Sequence, residues 1–235
     1  MRNALLIFLV LFFFVLPSPA IAQEPFTMQS VPLPASAALS PALRDALQSQ
    51  GTRLITYVNG LETTVCELWW SKVVSTEAKT VPGADGYGNL RIGTLLGVLY
   101  FPDENEDSRD QKIRAGFYTM RYAQIHQDSV HKDVSPYRDF VVLSPAASDE
   151  YGDQALPLDS LIKQGRLASR TLHPAVITLM PLNPAYKNFP TVVTDDTGQC
   201  ILQAKLRAKS GKGETEREIG VDILLVTPPK ENGES

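Results

Sequence analysis

The stretch TRLITYVNGLETTVCELWWSKVV, Thr52–Val74, decides the fold. Two runs rich in β-branched and aromatic residues flank Asn59-Gly60, a strong signal for a tight hairpin turn. Neighbouring residues on a strand face opposite ways, so Cys66, Leu68 and Trp70 belong to one face and Trp69 to the other. The alternation sends Cys66, Leu68 and Trp70 into a core. Trp69 is then either covered by another element or displayed.

Outward from this hairpin the same grammar continues. RIGTLLGVLYF, Arg91–Phe101, is apolar on both alternating faces, as in a central strand covered on both sides. GFYTMRYAQI places Tyr118, Met120 and Tyr122 on one face and Phe117, Thr119 and Arg121 on the other. DFVVL and AVITLMP read as further strands. QCILQAKLRA alternates, with Cys200, Leu202, Ala204 and Leu206 inward and Gln199, Gln203, Lys205 and Arg207 outward. REIGVDILLVT completes a C-terminal hairpin, and Pro228-Pro229 stop the ladder.

Two helices interrupt this pattern. SPALRDALQSQG carries Ser40 as N-cap, Pro41 at the first helical position, Leu43 and Leu47 four apart, and Gly51 after the end. PLDSLIKQGRLASR has Leu158, Leu161 and Ile162 at helical spacing, Asp159 or Ser160 as cap, and a weakening Gly165. The expected fold is all-β: a two-layer antiparallel β-sandwich of about eight or nine strands, with one N-terminal helix and one short inserted helix.

The first 22 residues have a basic start at Arg2, an apolar run from Ala4 to Leu16 and an Ala-Ile-Ala end. The run is too short to span a bilayer and has the form of a cleaved secretory signal. We therefore expect a signal peptide over 1–22, an extended leader and short helix over 23–50, a sandwich over 51–227 and a polar tail over 228–235. The mature chain is expected in the periplasm or outside the cell, with no stable membrane anchor. The 22 basic against 26 acidic residues of the full sequence exclude nucleic acid as a partner. A cell-envelope protein or a glycan is the expected partner.

The two cysteines of this chain, Cys66 and Cys200, both fall on inward strand positions. They suit a bridge between the layers, worth roughly 5 kcal/mol for a closed loop of about 134 residues, or two buried thiols that never meet. Neither has a nearby histidine in sequence to activate it for catalysis.

No catalytic or cofactor signature stands out, and no cofactor is expected. DENEDSRD, Asp103–Asp110, opens like a calcium loop but has Ser108 where glycine is needed and Arg114 where a bidentate glutamate is needed. It reads as a solvated acidic turn. His126, Asp128 and His131 are metal-capable types without zinc spacing. Asp128 and His131, with His173, are also the residues around which an exported hydrolase site would assemble. Ser160-Leu-Ile-Lys163 and Lys209-Ser-Gly211 mimic penicillin-recognising motifs in the wrong structural setting. Trp69, Phe117 and Tyr137 are the candidate ligand-binding aromatics, a flat platform for a sugar or peptide.

Two segments carry a resemblance: KIRAGFYTMRY, Lys112–Tyr122, and RDFVVLSPAASD, Arg138–Asp149. Together they resemble a group of uncharacterised exported bacterial β-sandwich proteins with an A-G-x-Y-x-x-R-Y strand. The A-G-x-Y portion is more loosely similar to the edge of prealbumin-like sandwiches. The resemblance implies a sandwich from about Gly51 to Thr227 and no assigned chemistry. Arg121, facing away from the two tyrosines, is expected to pair with an acid such as Asp139.

Overall fold

The computed structural model describes residues 26–77, 87–107, 109–125, 135, 137–182, 188–195, 199–211 and 215–226. Its frame is a seven-stranded antiparallel sheet. The strands are β1 (Phe26–Pro32), β2 (Gln50–Val58), β3 (Leu61–Trp70), β5 (Leu95–Phe101), β8 (Gly116–Gln124), β9 (Asp139–Pro145) and β10 (Val176–Thr178), in that spatial order. The smaller sheet has β11 (Thr191–Thr194), β12 (Cys200–Lys209) and β13 (Arg217–Val226), with β4 (Val74–Ser75) on β12. The pair β6 (Asn105–Glu106) and β7 (Lys112–Ile113) stands apart.

The all-β sandwich is thus the observed fold, with thirteen strands among the described residues. The excess over eight or nine comes largely from pairs too short to leave a period in the sequence. β5 lies between β3 and β8 and is buried along nearly all its length, as its doubly apolar pattern requires.

The main core fills the space between the sheets. Leu54, Cys66, Leu68, Trp70, Met120 and Tyr122 meet Cys200, Leu202, Leu206 and Ile223 across it. The outer face of the large sheet is covered too. Helix α1 (Pro41–Ala46) and the residues flanking it bring Leu39, Leu43 and Leu47 over Val31, Trp69, Leu95 and Val98 of the sheet. Helix α2 (Leu158–Ser169) brings Leu161 over Ala123, Phe140 and Val142. The large sheet is therefore the middle layer of three.

Residues 26–50 belong to this body rather than leading up to it. β1 pairs with β2 from Phe26 opposite Thr56 to Pro32 opposite Gln50. The start of α1 follows the sequence, since Ser40 Oγ accepts from the Leu43 N–H at 3.2 Å and Pro41 opens the helix. Its end does not. The chain leaves the helix at Leu47 and enters β2, where Gly51 serves a different purpose. A Cβ at Gly51 would lie 2.5 Å from Trp69 Cδ1, so glycine makes room for the indole.

In α2, Pro157 occupies the N-cap position, without the side-chain cap expected from Asp159 or Ser160, and Leu158 points outward at 43% exposure. Gly165 is a contact residue: a Cβ there would sit 2.5 Å from Val142 Cγ1 and 2.7 Å from Pro174 Cβ. The glycine that weakens the helix in sequence lets it approach β9 closely.

The hairpin that opened the sequence forms as read. Asn59 and Gly60 have φ of 53° and 78°, the left-handed pair that such a turn requires. Its tip projects Tyr57, Val58 and Leu61 into solvent.

Candidate functional site

The sequence candidates do not assemble into one site. Trp69 is 0% exposed, so it cannot serve a surface platform. Its ring packs against Phe117 at 6.3 Å between centroids, and Phe117 against Tyr100 at 4.5 Å. Tyr137 is exposed but precedes β9 at the Gln124 end of the β8–β9 ladder, whereas Phe117 lies at the other. The covering apolar residues of α1 and its approach explain Trp69's burial: an exposed indole would have left that sheet face without a core.

Of the two readings of the cysteines, the bridge is not the one observed. Cys66 and Cys200 are free thiols, both buried in the core between the sheets and not at disulfide distance. Facing sheets stand about 10 Å apart, whereas a disulfide needs Cα atoms within about 7 Å. Burial pushes the Cys200 thiol up to about 12, and raises Cys66 further still. Neither is a nucleophile at neutral pH.

His126, Asp128 and His131 lie outside the described residues. His173 is exposed beyond the C-terminus of α2. Among the described residues no group of three or more His, Cys, Asp and Glu side chains is gathered as a metal site would need. Ser160 sits on α2 over the large sheet, and Lys209 closes β12 in the small one.

The acidic loop is not wholly solvated. Asp107 is buried, accepting from the Arg109 and Gln111 amides at 2.9 and 3.0 Å, from Gln111 Nε2 at 2.7 Å and from the Val176 amide at 3.2 Å. It ties the loop to β10. Gln203, expected outward, is buried beside Asp222, with Nε2 donating to Asp222 Oδ2 at 2.7 Å.

Arg121 pairs with Asp149 rather than Asp139. Nε donates to Asp149 Oδ2 at 2.6 Å and Nη2 to Oδ1 at 2.8 Å. Nη1 reaches the carbonyls of Gly93 and Gln154, each at 2.8 Å, and Nη2 that of Gly152 at 2.9 Å. All five guanidinium hydrogens are used, and both partners are fully buried. This is an internal clasp with no free donor for a ligand. Asp139 instead accepts from the Tyr122 hydroxyl at 2.5 Å, and burial raises its carboxyl above the usual range.

The structure does bring another set of residues together. A groove of about 640 Å³ opens where the β1–β2 edge of the large sheet meets the small sheet. One wall is Met28, Gln29 and Ser30 of β1, with Gln50 and Thr52 of β2. The opposite wall is Phe189, Pro190, Ala204, Lys205 and Glu218, and Trp70 contributes from the core.

Its chemistry is mostly neutral and polar beside aromatic area. Ser30 Oγ donates to Gln50 Oε1 at 3.1 Å, which leaves the Gln50 Nε2 hydrogens uncommitted among the described residues. Lys205 Nζ lies 5.1 Å from the Phe189 ring centroid and 3.1 Å from Glu218 Oε2, so the two charges largely offset each other. Trp70 is 6% exposed, and its buried indole N–H has no partner among the described residues.

Among these residues the strand pattern placed Trp70 and Ala204 inward and Lys205 outward, and marked none of them as a groove residue. The lining comes from six separated segments joined only by folding. Comparison of the chain with protein-family models, curated proteins and solved structures returns no match.

Proposed function

We propose that this protein is an exported, non-catalytic binding module of the periplasm or cell exterior, with the inter-sheet groove as its ligand site. The groove carries the reading: amides and hydroxyls beside Trp70 and Phe189 supply hydrogen bonding and apolar contact together, as ligand sites do. Its two charged side chains are committed to each other, so it suits an uncharged partner. A cell-envelope protein or glycan fits that description.

The test uses Ser30→Trp, which fills the groove from an exposed strand position. Wild type and variant are screened in parallel against a panel of oligosaccharides, peptidoglycan fragments and a linear peptide library. A ligand held by the wild type and lost at least tenfold by a variant of unchanged Tm is expected. Equal binding by both proteins across all panels rejects the groove as the site.

A further inference from the structure

Among the described residues the small sheet has a gap on the groove side. β13 pairs with one edge of β12 from Cys200 to Ala208, so β11 and β4 must share the other. β11 covers Cys200 to Gln203 and β4 covers Ala208 and Lys209. Between them Ala204, Lys205, Leu206 and Arg207 have no strand partner on that edge among the described residues. β11 cannot simply extend to fill it, because Pro190 has no N–H to donate to the ladder.

Two of these residues, Ala204 and Lys205, line the groove. The facing wall includes three consecutive residues of β1, which is itself the edge of the large sheet. The groove is thus walled by strand edges on both sides. Alternate residues of an unpaired strand present N–H and C=O at the spacing of another extended backbone. A slot of four residues is about 13 Å long.

Resting on the binding reading above, we infer that the ligand is an uncharged, extended segment of another polypeptide, which docks as a short strand on β12 between β11 and β4. The ladder supplies main-chain bonds along Ala204–Arg207. An apolar side chain of the ligand lies against Trp70 and Phe189. A sugar would satisfy the aromatic faces but would not reproduce the alternating donors and acceptors of the strand edge.

The test pans a phage-displayed library of linear dodecapeptides on the full mature chain, with depletion on Ser30→Trp. Enriched sequences are synthesised, both plain and N-methylated at alternate residues. The expected result is at least about tenfold slower amide exchange in 204–207 with the plain peptide, and roughly tenfold weaker binding of the N-methylated form. Gln50→Arg replaces Ser30→Trp if that variant does not fold.

A hexasaccharide panel runs in parallel. Oligosaccharide binding lost in the blocked variant, with no peptide enriched over it, overturns the strand inference and leaves the groove standing. Peptides that bind with no added protection in 204–207 overturn the inference as well. No difference between wild type and blocked variant with either class removes both readings.

Discussion

Arg121 shows how far alternation reaches and where it stops. Its position opposite the two tyrosines was legible in GFYTMRY, but its partner was not, because alternation assigns a face and says nothing about which loop will cover it. The loop at 146–154 supplies Asp149 and the carbonyls of Gly152 and Gln154, joining the two segments that carried the family resemblance. With every donor used, removal of one partner strands the other as a buried charge. Asp149→Ala is expected to cost about 3–5 kcal/mol by urea denaturation, and Arg121→Met with Asp149→Leu to recover much of that loss. Asp139 gives a pH signature of its own. Its carboxyl is raised by burial, so the folded protein holds that proton more tightly than the unfolded chain does. Stability conferred by the protonated form is lost as pH rises from the ordinary carboxylate range through the raised value. Asp139→Asn should flatten this segment of the urea-midpoint profile. The cysteines were correctly placed inward, but strand pattern does not fix their separation. Both should resist alkylation in the native protein near pH 8 and react fully once it is denatured. One or no thiol titrating in the denatured, unreduced protein would contradict the free-thiol state.

Helix α1 shows competition between neighbouring elements. Its cap was legible because Ser40 and Pro41 act locally, within one turn. Its end was misread because Gly51 looks like a terminator, while the pairing of β1 with β2 claims the residues before it. β1 itself was hidden: a half-exposed edge strand containing Ser30 and Pro32 shows little alternation, and burial of Val31 arises only from the covering layer. That layer decides the fate of Trp69. Leu43→Ala should cost about 2–5 kcal/mol by chemical denaturation, with a red shift in tryptophan emission as the indole gains contact with water. Gly165→Ala tests α2 in the opposite sense. Although alanine favours a helix, the added methyl would meet Val142 and Pro174, so lower stability is expected.

At the scale of the molecule, a sandwich was legible because each strand announces a buried face, and the third layer was foreshadowed by the doubly apolar β5 and by Trp69 on the face opposite the core. The groove was illegible because it depends on how the rim of one sheet meets an interruption in the other. Six segments from Met28 to Glu218 contribute, and none carries a local motif. Trp70→Phe shortens the aromatic surface that this position lends to the groove, so ligand affinity should fall several-fold while Tm changes less than for a truncation to alanine. Equal affinity would show that the indole plays no part in recognition. The Asn59-Gly60 turn lies at the opposite end of β2 from Gln50, and nothing stands within 4 Å of where a Gly60 side chain would begin. That turn is therefore a natural splice point: a fluorescent protein or affinity handle could be grafted there with only a loop-closure penalty, reporting ligand capture from outside the body that performs it.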